Sequence, residues 1–271
     1  MAEKAIYEVD KATNLNGTDY VYSNTGNNIR QISGKDFAGA DFKNLKLYAA
    51  SGKNLGTSYT QAQKSEIKNG TFNGLNIGDY WVIGGITWRI WDIDWYLRKG
   101  DIECTEHHLV IIPDSCLISP DGSTHLMNDT DTTAGGYNGT KYRNTYKEQC
   151  ETKIKECFGD NILLHRELLS TATENGKASV AGWYDATVEL PSEIMMYGSI
   201  ISGDGGHNVG TAFPQLALVR IYPSTIVNRE NYWLRDVVSA SVFAIVDNSG
   251  VAGGYNASHV WGGIRPYFLL H

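Results

Sequence analysis

A chain of 271 residues, 42 % hydrophobic and carrying a net charge of −7, can fill one large core, and an acidic balance without any basic run excludes nucleic acid as a partner. No stretch is apolar over the roughly 20 residues that a membrane span needs, and the first ten residues lack the apolar run of a secretory signal, so a cytoplasmically made product with no membrane insertion is expected. Tyr (16), Trp (7) and Gly (29) are abundant while Met (4) and Pro (6) are scarce, which points to many short strands, tight turns and aromatic surface.

Residues 1–50 read as a separate small segment. Asp19-Tyr-Val-Tyr-Ser and Asn28-Ile-Arg-Gln-Ile have strand character, with turn chemistry in Asn24-Thr-Gly-Asn between them. Ser33-Gly-Lys-Asp36 has the form of a capping box ahead of Phe37 and predicts a short helix. A hairpin this small is marginal alone, so it needs the following domain or copies of itself. Composition shifts near residues 45–55, and a second domain is expected over 51–271.

Within that domain, Thr60 to Asn69 predicts a helix capped by Ser58 or Thr60 and stopped by Gly70. The aromatic and β-branched run Asp79–Asp94 is broken by Gly84-Gly85 into two hairpin strands. His107–Ile112 predicts a strand ended by Pro113, and the polar stretch Ser119–Gly139 a long surface loop. Tyr142, Tyr146, Cys150, Ile154, Cys157 and Phe158 recur at helical spacing, so a helix is expected from Lys141 to Phe158, stopped by Gly159. Leu190-Pro-Ser-Glu-Ile-Met-Met-Tyr predicts a short helix with proline in its first turn, Ser202–Gly210 a glycine-rich loop, and Leu216–Ile221 a strand. Two stiff blocks, Tyr232–Arg235 and Ile264–Leu270, enclose small, polar and scattered aromatic residues. Helices first and many short strands afterwards make an α+β fold.

The chemistry-bearing residues are sparse. Cys150 and Cys157 lie about 10 Å apart on the predicted helix, beyond disulfide reach. Cys104 and Cys116 can face each other only if their segments pair, so four reduced thiols are expected. Cys104-Thr-Glu-His-His108 has metal-ligand types but no second pair at zinc spacing, and adjacent histidines on a strand point apart. Asp92 and Asp94 can share a strand face, as paired acids or as solvated or helix-capping ones; Asp129 and Asp131 lie in the polar loop without EF-hand spacing. No nucleophile elbow, phosphate loop, dinucleotide fingerprint or zinc-protease motif occurs. No catalytic residue, metal or cofactor is assigned.

Trp233-Leu-Arg-Asp-Val-Val-Ser-Ala and Gly262-Gly-Ile-Arg-Pro-Tyr-Phe resemble the strands that frame the variable segment in C-type-lectin-like domains of phage and bacterial display proteins. These include retroelement-diversified variable proteins, major tropism determinants of phage among them. Gly78-Asp-Tyr-Trp-Val-Ile-Gly-Gly-Ile-Thr-Trp-Arg-Ile, His107-His-Leu-Val-Ile-Ile-Pro-Asp and Thr132-Thr-Ala-Gly-Gly-Tyr extend the likeness over roughly residues 55–271. Ala12-Thr-Asn-Leu-Asn-Gly-Thr-Asp-Tyr-Val-Tyr with Ile29-Arg-Gln-Ile-Ser is similar to the N-terminal segments of phage tail and head fibres. The resemblance implies a virion protein made in a host bacterium. Residues 1–50 would attach it to other virion proteins and trimerise it, and the C-type-lectin-like domain would bind a host cell-surface receptor, protein or glycan. The Glu-Pro-Asn, Gln-Pro-Asp and Trp-Asn-Asp triplets of calcium-dependent sugar-binding lectins are absent.

Under this reading Trp233, Arg235 and Arg265 form the scaffold, with an arginine clamping Asp236 or another acid beneath the loops. The ligand-contacting residues are Phe243, Ile245, Asp247, Asn248, Tyr255, His259 and Trp261, with strand alternation offering Phe243 and Ile245 a core position instead. Two other classes remain: a capsid decoration or head fibre without a dedicated ligand, and an oxidase resembling formylglycine-generating enzymes. The latter chemistry uses a C-terminal cysteine pair, and no cysteine follows Cys157.

Overall fold

The computed structural model describes residues 20–25 and 28–33 by their backbone, and residues 51–122, 125–203 and 214–271 in full. The chain divides into two units, Met1–Tyr48 and Ala49–His271, against the expected boundary at 50/51. In the first, β1 (Tyr20–Thr25) and β2 (Asn28–Ser33) pair antiparallel, with Tyr20 opposite Ser33. The short helix expected around Phe37 lies outside the described residues.

The second unit mixes helices and antiparallel sheets, an α+β arrangement. Helix α1 (Gln61–Lys68) starts at a capping box: the Gln63 N–H donates to the Thr60 hydroxyl, and the Thr60 N–H donates to the Gln63 side chain. Strands β3 (Tyr80–Ile83) and β4 (Ile86–Ile93) meet at Gly84-Gly85, where both φ angles are positive (61° and 78°), as a tight hairpin turn requires. Next come β5 (Leu109–Pro113), a π-helical turn at Tyr142–Tyr146, and α2 (Lys147–Phe158). Then follow β6 (His165–Glu174), β7 (Lys177–Ala186), β8 (Val188–Glu189), α3 (Glu193–Tyr197) and α4 (Ala217–Ile221). The chain ends with β9 (Tyr232–Val237), β10 (Val242–Val246), β11 (Ala252–Asn256) and β12 (Tyr267–Leu270).

The main sheet has the order β3-β4-β5-β12-β8, a smaller one β11-β10-β9, and β6 pairs only with β7. Strands β5 and β12 are buried along their whole length, so apolar residues occupy both faces and no alternation appears in Leu-Val-Ile-Ile-Pro or Tyr-Phe-Leu-Leu. On one side α2 lays Phe158 against Trp81, Trp88 and Phe268, with ring centroids 5.4–6.0 Å apart. The small sheet joins this core through a parallel bridge between Tyr232 and Gly263, just before β12. The two framing blocks of the sequence therefore meet through backbone: Trp233 N–H donates to Gly263 O (3.0 Å), and Gly263 N–H to Asn231 O (2.8 Å).

Beneath this junction sits a buried polar knot. The Glu167 carboxylate of β6 accepts from the Tyr96 and Tyr267 hydroxyls and from Arg235 Nη1 (2.9 Å), and His165 Nε2 lies 3.2 Å from it. Burial pushes Glu167 up, but the Arg235 guanidinium and His165 reverse that and hold its carboxyl below the usual range.

Several expectations are corrected. Leu216–Ile221 is not a strand. Ala217–Ile221 is helical, started by the buried Asp92 carboxylate, which accepts the Ala217 N–H at 2.8 Å. A short apolar run does not distinguish the two. Pro191 precedes the Ser192 cap of α3 instead of lying in its first turn. The strand expected from His107 begins at Leu109, and Pro113 is its last residue, opposite Trp88. The stretch 119–139 is not wholly a surface loop: Met127, Thr133 and Tyr137 are buried, and Tyr137 donates to Glu189 at 2.8 Å. The hairpin β6–β7 was not anticipated, although Asn175-Gly176 at its turn, with φ of 52° and 76°, is a strong hairpin signal.

Candidate functional site

The candidate site is the edge strand β11 of the small sheet, with the turn before it and the loop after it. Phe243 and Ile245, expected to touch a ligand, are buried (0 % and 2 % exposed) and belong to the core. Phe243 pairs with Tyr255 and Ile245 with Gly253 on β11, so Tyr255 shares the face of Phe243, and both Phe243 and Ile245 pack into the main core. Asp247 is occupied as well. Its Oδ1 accepts the N–H groups of Ser249 and Val251 and the Ser249 hydroxyl, closing the turn to β11. These bonds, the Ser249 hydroxyl foremost, hold its carboxyl below the usual range.

The remaining four residues lie at the surface. Trp233 is fully buried and donates its indole N–H to His125 O (3.0 Å). The half-buried Tyr255 meets it edge-on at 6.0 Å, and His259 stacks on the other side of Tyr255 at 3.9 Å. Trp261 follows, 53 % exposed, its backbone N–H donating to His259 Nδ1 (3.2 Å), which leaves Nε2 to carry the proton of the neutral ring. Gly122 lies beneath the Trp261 ring; a Cβ there would approach it to 2.9 Å. Three rings thus step outward from the core, with a fourth beside them. Exposed Asn248 sits across the turn, its N–H donating to Asn231 Oδ1 (2.8 Å).

Two organising residues were not legible in the sequence as parts of this face. Asn231 holds both ends of the face, accepting from Asn248 N–H and donating from Nδ2 to the Tyr255 hydroxyl (2.8 Å). Asp131 accepts from Ser258 N–H (3.2 Å), Ser258 Oγ (2.6 Å) and Asn256 Nδ2 (3.1 Å), bonds that depress its pKa, with the Ser258 hydroxyl first among them. It braces the loop, while Asp129 pairs with Lys141. Only the folded chain shows that an Asn before β9 and an Asp more than a hundred positions upstream meet the same segment.

The other sequence candidates go to structural duties. His108 is buried, accepts the Tyr96 N–H at Nε2 (3.0 Å) and faces Glu106 O with Nδ1; burial pushes its pKa down to about 4. His107 pairs with Asp94 (2.7 Å). Asp94 and Asp92 do not form an acid pair, because Asp92 caps α4 while Asp94 lies past the end of β4 with φ +56°. All four cysteines are free thiols, and burial pushes Cys116 and Cys150 up to about 12. Arg235 pairs with Glu167, not with Asp236, whose carboxylate accepts the Glu193 N–H (2.7 Å). Among the described residues no group of three or more His, Cys, Asp or Glu is arranged to hold a metal, and no helix is long and apolar enough to cross a membrane.

Gly262 fixes how closely the loop returns to this scaffold. A Cβ at that position would come within 2.2 Å of Trp233 Nε1. Gly262→Ala is expected to destabilise the fold by about 1–3 kcal/mol through overpacking, read as a lower urea midpoint with an unchanged m-value.

No protein-family model matches this sequence, and comparison with curated proteins and with solved structures gives no match either.

Proposed function

We propose that the chain is a bacteriophage virion protein whose 51–271 region is a C-type-lectin-like domain that binds a host cell-surface molecule. Asn248, Tyr255, His259 and Trp261 are the contact residues. The observation that carries this reading is the series of rings from buried Trp233 on β9 through Tyr255 on β11 to His259 in the loop after it, with exposed Trp261 beside them. Tyr and Trp give large contact areas at small cost in side-chain entropy and recur as binding hot spots. A site framed by strands keeps its geometry when its exposed side chains differ, since backbone pairing carries the fold. The meeting of the domain's ends also favours this architecture, with the Tyr59 hydroxyl donating to His271 O (3.2 Å). Residues 1–50 would attach the protein to the virion and trimerise it, and three modest faces acting together would gain avidity.

The test is binding of the fluorescently labelled full chain to cells of the phage host. Trp261→Ala is expected to weaken binding tenfold or more with unchanged melting, since the ring is mostly exposed. Leu164→Ala, at a site 59 % exposed but outside the face, is expected to leave it unaltered. Equal binding by both variants would remove the reading.

A further inference from the structure

Arg265 was expected to serve as scaffold, and the residue is 1 % exposed. Yet its hydrogen-bond partners are all neutral. Nε donates to Pro113 O (2.9 Å), and Nη1 to Ile226 O (3.1 Å) and the Tyr232 hydroxyl (3.3 Å). Nη2 has one long contact, 3.4 Å to Thr225 O. The cation also lies over the rings of Trp91 (5.0 Å) and Tyr232 (5.1 Å). Among the described residues no carboxylate forms an ion pair with it; Glu230, the nearest acid in sequence before β9, makes no ion pair with it and keeps Oε2 buried without a hydrogen-bond partner, while both Glu230 and Arg265 act on Cys116. A buried charge ordinarily finds an opposite one. Arg235 does so with Glu167, and Arg89 with Asp114 (2.5 Å).

Arg265 also lines a cleft of about 610 Å³, within the range of small-molecule sites. Arg89 and Asp114 line it too, and their charges cancel, so the charged lining sums to a single positive charge at Arg265. Leu218, Tyr222 and Val227 provide apolar surface, with Tyr222 and Val227 half-exposed and ready to be covered. None of Asn248, Tyr255, His259 or Trp261 lines it.

We propose that this cleft binds a small organic monocarboxylate. Its carboxylate would accept from Arg265, where Nη2 is the least satisfied nitrogen, and its apolar body would cover Leu218, Tyr222 and Val227. One positive charge matches a carboxylate better than a phosphate dianion, and the apolar lining selects against small hydrophilic anions. The site is independent of the receptor-binding reading, since it shares no residue with that face.

The experiment titrates the full chain with benzoate and hexanoate up to tens of millimolar, with benzyl alcohol and inorganic phosphate alongside, followed by amide NMR shifts. Saturable shifts at residues 222, 224–227 and 265 are expected with the carboxylates, and at least tenfold weaker binding with alcohol and phosphate. Two variants change the charge of the lining. Arg89→Gln leaves the Asp114 charge uncompensated beside Arg265, and Val227→Asp adds a negative charge at the exposed rim. Each is expected to weaken carboxylate binding tenfold or more while the dispersion of the spectrum stays native. The proposal is overturned if neither carboxylate saturates, if benzyl alcohol or phosphate binds as well, or if Val227→Asp binds like the parent.

Discussion

Replacing Arg235 with Met is expected to destabilise the domain by about 3–5 kcal/mol, because it leaves Glu167 ionised and fully buried without its cation. Three hydrogen bonds to Glu167 would remain, from Tyr96, Tyr267 and His165, but none brings the full charge of the guanidinium. For a unit of this size the loss corresponds to a melting temperature lower by roughly 10 °C. The double variant Glu167→Gln/Arg235→Met is expected to be more stable than Arg235→Met alone, since Gln keeps an acceptor for the tyrosines without burying a charge. A single variant within about 1 kcal/mol of the parent in urea melts would contradict the assignment of Glu167 and Arg235 as a coupled pair. The same knot sets an acid limit. Because the folded-state pKa of Glu167 is depressed, its contribution is complete above the ordinary glutamate value of about 4.3 and is lost as pH falls through the folded value. Stability should therefore drop more steeply below pH ~4 in the parent than in the double variant, in which this carboxyl no longer titrates.

Trp233→Ala is expected to cost about 3–5 kcal/mol and to abolish host-cell binding along with it. The ring is fully buried, walls one side of Tyr255, and holds His125 O through its indole N–H. Its removal opens a cavity directly beneath the display face and frees Tyr255 to sink toward the core. Trp233→Phe separates the two effects. It refills most of the cavity but cannot donate to His125, so stability should recover by more than half while the loop carrying His125 loosens. Urea melts and hydrogen exchange at Tyr255 and His259 read these outcomes. Binding retained in Trp233→Ala would sever the proposed link between core and face.

The legible part of the fold was local. The Thr60 cap, the Gly84-Gly85 turn and the stop at Gly159 depend on nearest neighbours, so they could be read directly. The contact residues were only half legible. Period-two alternation separates the faces of β10 but does not say whether one or both are covered, and residues 243–246 are buried on both. Asp247 had the residue type of a contact group, yet its neighbours at 249 and 251 claimed it for a turn. Helix α4 was unreadable for a different reason. Its first N–H is capped by Asp92, 125 positions upstream on β4, and five residues with no local cap carry no helical signature.

Sequence by itself determined the material: an acidic, aromatic-rich α+β chain with a break near residue 50 and two stiff blocks framing a polar stretch. Tertiary structure alone decided which of those aromatics face water, that Arg235 meets Glu167 while Arg265 meets only carbonyls, a hydroxyl and rings, and that Asn231 and Asp131 brace one loop. The reason is physical. Turns and caps are set by energies within a few residues, whereas burial and charge pairing depend on groups that chain closure brings together from tens to more than a hundred positions apart.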